Sequence, residues 1–154
     1  MPKQIIRETI PGSSEIVFSV VHDYSRRLEW DTLLQRAEIE DAFDKAGLGA
    51  VTMCQAKAFL GGIKMRTKYV SFQPGKVAAV KLLNHPIFFE TFVASIRHFE
   101  KGGNWSEVIY EYNFRSRPAL LRPLLEPVMA LCLNCETRKR LRSLRNYIEN
   151  GMRI

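Results

Sequence analysis

Between Ala37 and Arg117 the chain runs through strand-length segments of alternating or β-branched residues, separated by breaks too short for anything but reversals. The breaks read DKAGLG, GG at 61 and 62, QPGK, NHP and EKGGN, all rich in turn-forming residues. They divide the region into strands at about 37 to 44, 50 to 59, 63 to 72, 77 to 83, 88 to 99 and 105 to 115. Parallel pairing needs a crossover of about a dozen residues or more, so successive strands must pair antiparallel, as a meander. Any fold open to this chain is built on that sheet.

The flanks supply helices. Lys3 to Ile10 (KQIIRETI) is a further β-prone run, stopped by Pro11-Gly12. Ser13 and Ser14, either able to cap, introduce EIVFSVVHDY, in which Ile16, Val17, Val20 and Val21 recur at helical spacing. SRRLEWDTLL, Ser25 to Leu34, predicts a second short helix with Leu28, Trp30 and Leu33 directed toward apolar surroundings. After Arg117 come Pro118, Pro123 and Pro127, then an uninterrupted helical stretch to about Asn150-Gly151. Leu124, Val128, Leu131 and Cys132, then Cys135, Leu141, Leu144 and Ile148, predict one apolar stripe lying on the sheet.

At 154 residues, 46% of them hydrophobic, the chain fits one domain with a real core. No segment approaches the roughly 18 apolar residues of a membrane span, and the opening MPKQIIRETIPG is charged. The expectation is a cytoplasmic protein with reduced thiols, since Cys54, Cys132 and Cys135 are an odd set without an export signal. The net charge of +7 favours anionic partners.

Strand, two short helices, six strands and a long C-terminal helix resemble the helix-grip order of the SRPBCC superfamily. The resemblance runs from SEIVFSVVHDYSRRLEWD to ETRKRLRSLRNYIE and so covers essentially the whole chain. That superfamily includes START lipid-transfer domains, birch-pollen-allergen-like proteins and the polyketide cyclase/dehydrase-like subgroup. The resemblance implies an α+β fold: a seven-stranded curved antiparallel sheet wrapped around the C-terminal helix, with a mostly apolar cavity between them. It implies a lipid, quinone, polyketide or other aromatic or isoprenoid ligand for most members, and cyclisation, dehydration or hydrolysis for a minority. Fold alone does not choose among these.

Alternation assigns the faces of each strand. It turns Tyr110, Tyr112 and Phe114 inward, and opposite them Glu90, Phe92, Ile96 and His98. Charged Lys64, Arg66 and Lys68 put Met65, Thr67 and Tyr69 inside, joined by Leu82 and by the small side chain of Cys54. Met129 and Cys132 are expected to complete the wall from the helix. Glu90 and His98 are the candidate acid or base groups, because an inward carboxyl or imidazole can have its pKa moved toward neutrality. At about 3.3 Å per residue they stand too far apart on one strand to form a dyad.

GxSxG, P-loop, GxGxxG and HExxH signatures are absent from the sequence. Cys132 and Cys135 lack the second ligand pair of a structural zinc site, so neither metal nor cofactor is expected. Arg138, Arg142 and Arg145 form a basic stripe that suits solvent, or else RNA or a membrane surface. Lys57, Lys64, Arg66, Lys68 and Lys81 form a second basic patch on the sheet. The leading expectation is binding of a small hydrophobic molecule rather than catalysis. A cyclase/dehydrase-like enzyme and an anionic-surface binder stand behind it; oligomeric state is open.

Overall fold

The computed structural model describes residues 3–40 and 42–151. In chain order they form β1 (Gln4–Pro11), α1 (Ser14–Val21), α2 (Arg27–Trp30), β2 (Leu34–Ile39), β3 (Val51–Ala56), β4 (Lys64–Gln73), β5 (Val77–Leu82), β6 (Phe89–Gly102), β7 (Trp105–Ser116) and α3 (Arg122–Glu149). Short 3-10 turns, Ala58–Leu60 and Ala119–Leu121, precede β4 and α3. The seven strands run in the order β1-β7-β6-β5-β4-β3-β2, every neighbouring pair antiparallel. This is the curled helix-grip sheet with α3 across it.

Ser13 caps α1, its hydroxyl accepting from the Ile16 amide at 3.2 Å, while Ser14 is tied to Glu100 on β6. In the QPGK turn, Gly75 adopts φ +77°, which favours glycine, and a Cβ there would also crowd the Glu15 side chain at 3.0 Å. β2 covers 34–39 rather than 37–44; of the expected span, residue 41 lies outside the described residues. α3 starts at Arg122, earlier than the prolines suggest. Pro123 falls in the first turn, where no amide is needed, and Pro127 forfeits one helical bond near an exposed end.

Polar clamps pin α3 along its length. The Tyr112 hydroxyl donates to Asn134 Oδ1, whose amide donates to Gln4 at 2.9 Å. Ser143 donates to the Trp30 carbonyl at 2.5 Å, and Tyr147 to Glu29 at 3.0 Å. These clamps and the buried Ala130, Thr137, Leu141, Leu144 and Tyr147 define the face turned to the sheet.

That face is not the expected stripe in the first half of the helix. Leu124, Val128 and Leu131 are each two-thirds or more exposed, and Cys132 and Cys135 face outward as well. The stripe drifts because 3- and 4-residue steps do not fix a phase over seven turns. Small and polar side chains, Ala130, Asn134 and Thr137, share the sheet-facing positions with Met129 and Leu133, while Leu124, Val128 and Leu131 point away.

Candidate functional site

Between the sheet and α3 lies a cavity of about 150 Å³. β3 and β4 contribute Cys54, Met65, Thr67 and Tyr69 to its wall, and β6 and β7 contribute Phe92, Ile96, Tyr110 and Tyr112. Small Ala78 and Ala94 leave the space open, and Leu133, Thr137 and Leu141 cover it from α3. Among the described residues, no group of three His, Cys, Asp or Glu side chains could hold a metal ion.

Other expected wall residues lie elsewhere. Phe114 is fully buried in a second apolar cluster that includes the cavity-lining Phe89 and Tyr112, with Leu82 and Met129 packed against it, and none of Phe114, Leu82 and Met129 lines the cavity. Cys132 is on the outer face of α3. A bulge between Phe89 and Thr91 breaks the alternation, so Phe89 turns inward in place of Glu90. Glu90 is partly exposed and pairs with Arg122 at 2.5 Å.

The floor of the cavity is a charged cluster that strand alternation does not reveal. Asp31, 2% exposed, accepts from Arg27 Nε at 2.8 Å and from Arg140 Nε and Nη2, both at 2.9 Å. Arg27 Nη1 also donates to the Val21 carbonyl at 3.0 Å. Burial alone would raise the Asp31 pKa, but the two guanidiniums outweigh it and hold the carboxyl below its usual value. Burial likewise disfavours the arginine charges, and Asp31 keeps both protonated.

Two cations against one carboxylate leave a positive charge in excess. Aromatic faces share it: Arg27 lies 5.4 Å from the Tyr24 ring and 5.0 Å from that of Trp30, and Arg140 lies 5.9 Å from Tyr110. The hydrogen bonds described for these two side chains leave Arg27 Nη2 and Arg140 Nη1 to serve as donors. Both arginines line the cavity.

Beside this floor the Tyr69 hydroxyl meets His22 Nδ1 at 2.7 Å and the Tyr24 hydroxyl at 3.1 Å. His22 Nε2 is buried without a partner. Burial, then the Arg27 charge, push His22 well below the usual imidazole range, and burial pushes Tyr69 well above the usual phenol range. Near neutral pH both groups are therefore uncharged, and neither is poised for proton transfer.

His98 is inward and 5% exposed but lies under α1, with its ring 5.3 Å from Phe18, and it is not on the cavity wall. Both ring nitrogens lack partners, and burial lowers its pKa to about 4. The unfolded chain takes up this proton near pH 6.5 and the folded chain only near 4, so stability present above that window falls as pH drops through it. At full extent the loss is about 3 kcal/mol. In denaturant titrations from pH 7 to 4, H98L should flatten the decline; an unchanged slope would remove His98 from this role.

The arginines do leave traces in the sequence. Arg27 and Asp31 are four apart in RRLEWD, the spacing of a helical ion pair. Arg140 stands three residues after Thr137 and four before Leu144, on the sheet-facing side, whereas Arg138 and Arg142 of the same run are exposed. Arg145 is engaged by Glu149 at 3.0 Å and Glu8 at 3.4 Å.

A family model described as polyketide cyclase / dehydrase and lipid transport matches residues 5–149. No curated protein sequence matches. Among solved structures, the Zhui aromatase/cyclase from Streptomyces sp. R1128 superposes with a TM-score of 0.80 at 15% identity, over 99% of this chain and 96% of its own. A protein from Thermus thermophilus gives 0.81 at 11% identity, over 99% and 100%. The di-domain aromatase/cyclase BexL of the BE-7585A biosynthetic pathway gives 0.77 at 9% identity, over 97% of this chain and 47% of that one. At such identities these likenesses establish the fold.

Proposed function

Because the chain belongs to the polyketide cyclase / dehydrase and lipid transport family, we propose that it binds a small hydrophobic ring compound carrying an anionic oxygen, held between the sheet and α3. The observation that carries this reading is the excess guanidinium charge at the floor of an otherwise apolar cavity. An uncompensated buried charge is costly, and an anionic ligand group supplies the missing counter-charge. Size sets the other half of the specificity: a cavity of about 150 Å³ encloses roughly one benzene-sized ring. Larger ligands would extend past the wall.

The test pairs 4-methylbenzoate with 4-methylbenzamide, alike in shape and different in charge, titrated against the protein by NMR. The acid should bind about tenfold or more tightly, the margin expected of a charge-assisted hydrogen bond. R140M, which leaves the Arg27–Asp31 pair intact, should erase that preference. Equal affinity of acid and amide for the unaltered protein would sink the reading.

Cyclase or dehydrase chemistry is the second reading, favoured by the same free donors, which would also stabilise an enolate oxygen developing during reaction. Against it stand the pKa directions of His22 and Tyr69, which leave a weak base beside a weak acid. Binding is therefore ranked first.

A further inference from the structure

The large apolar residues that α3 turns outward do not stand alone. Leu120, 90% exposed, and Leu124, Val128 and Leu131 run along the 3-10 turn and the first turns of α3. At the same end of the sheet lie the connection 57–63 between β3 and β4, with Phe59 exposed, and the connection 83–88 between β5 and β6, with Ile87 exposed. Hydrogen bonds stitch the connections together: Asn84 Nδ2 donates to the Lys64 carbonyl at 3.0 Å, and Arg117 donates to the Phe88 and His85 carbonyls at 3.0 and 2.6 Å. The result is one end of the sheet that carries several exposed apolar side chains.

Charge at this end is predominantly positive. Segments 57–64, 81–88 and 117–125 contain Lys57, Lys64, Lys81, Arg117 and Arg122 and no Asp or Glu. Nearby Glu90 and Arg122 cancel each other as an ion pair and Glu126 is turned back to accept the Ser116 amide at 2.9 Å, which leaves Lys57, Lys64, Lys81 and Arg117 as the cations in excess. Exposed Leu, Ile and Phe side chains in segments that also carry cations match the boundary of an anionic bilayer, apolar within and negative at its surface. A second copy of the chain would bring like charges face to face, and a nucleic acid would offer Leu120 and Leu124 no apolar partner.

We infer that this end docks on the surface of an anionic lipid bilayer. Met65 and Phe89, near the starts of β4 and β6, line the cavity, so its wall reaches toward the docked end. The inference does not depend on what the cavity holds.

The test is co-sedimentation of the whole chain with vesicles of phosphatidylcholine alone and of phosphatidylcholine mixed equally with phosphatidylglycerol, without added ligand. Binding to the mixed vesicles should exceed that to the neutral ones by about tenfold and weaken with salt. L120D and L124D should each cut it by about tenfold with thermal unfolding unchanged, whereas V93D, on an exposed position of β6, should leave it intact. Three results would overturn the inference: no binding to either vesicle, binding indifferent to both leucine variants, or vesicle-free self-association that L124D abolishes. The last would assign the surface to a second copy.

Discussion

Replacing Asp31 by Asn should destabilise the protein by about 3–5 kcal/mol, because it leaves Arg27 and Arg140 buried without their shared counter-ion. For a domain of this size that corresponds to a fall of roughly 10 °C in Tm. Replacing the whole cluster together, as R27M, D31L and R140M, should restore much of the loss, since apolar substitutes of similar volume often equal or exceed a buried ionic cluster in stability. The same triple variant should lose its preference for 4-methylbenzoate over the amide. Stability recovered while selectivity disappears would separate a cluster kept for binding from one kept for folding. A D31N protein as stable as the parent would mean that the carboxylate does not hold the two guanidiniums.

The pH profile carries the same logic. Asp31 has a folded pKa below its unfolded value, so its contribution is complete above about pH 4 and disappears only as pH falls through the lower folded value. His98 acts in the window above it, from 6.5 down to about 4. Both make acid destabilising, and the histidine acts first.

A second large effect concerns the face of α3. Leu144 is fully buried in the main core with Val17, Leu141 and Tyr147, so L144A should cost about 2–5 kcal/mol. Leu131, more than three turns earlier and 73% exposed, should cost less than about 0.5 kcal/mol as L131A. Chemical denaturation of the two variants measures both. Comparable losses would mean that Leu131 is buried and that the outward apolar end does not exist.

This contrast also marks where sequence reading succeeds and where it stops. The sheet is legible because reversals of a few residues leave an antiparallel meander no alternative, and because β-strand side chains alternate strictly. Tyr69, Phe92, Ile96, Tyr110 and Tyr112 consequently face the cavity as alternation requires. Glu90 escapes the pattern because a bulge adds a residue that no composition signal marks. The first half of α3 departs from its expected face because Leu124, Val128 and Leu131 point away from the sheet, and a pattern cannot distinguish a core face from a docking face. The charged floor is hidden because it is assembled across the chain: Asp31 and Arg140 lie 109 residues apart and meet only once α3 crosses the sheet beside α2. Ion-pair spacing within RRLEWD identifies half of it at most.

The central claim is that an apolar cavity with a cationic floor takes an anionic oxygen. A crystal structure of the protein with 4-methylbenzoate tests it most directly. A carboxylate oxygen should lie within about 3.2 Å of Arg27 Nη2 or Arg140 Nη1, with the ring against Phe92 and Tyr110. A ligand bound outside the cavity, or one whose carboxylate points away from both arginines, would contradict it.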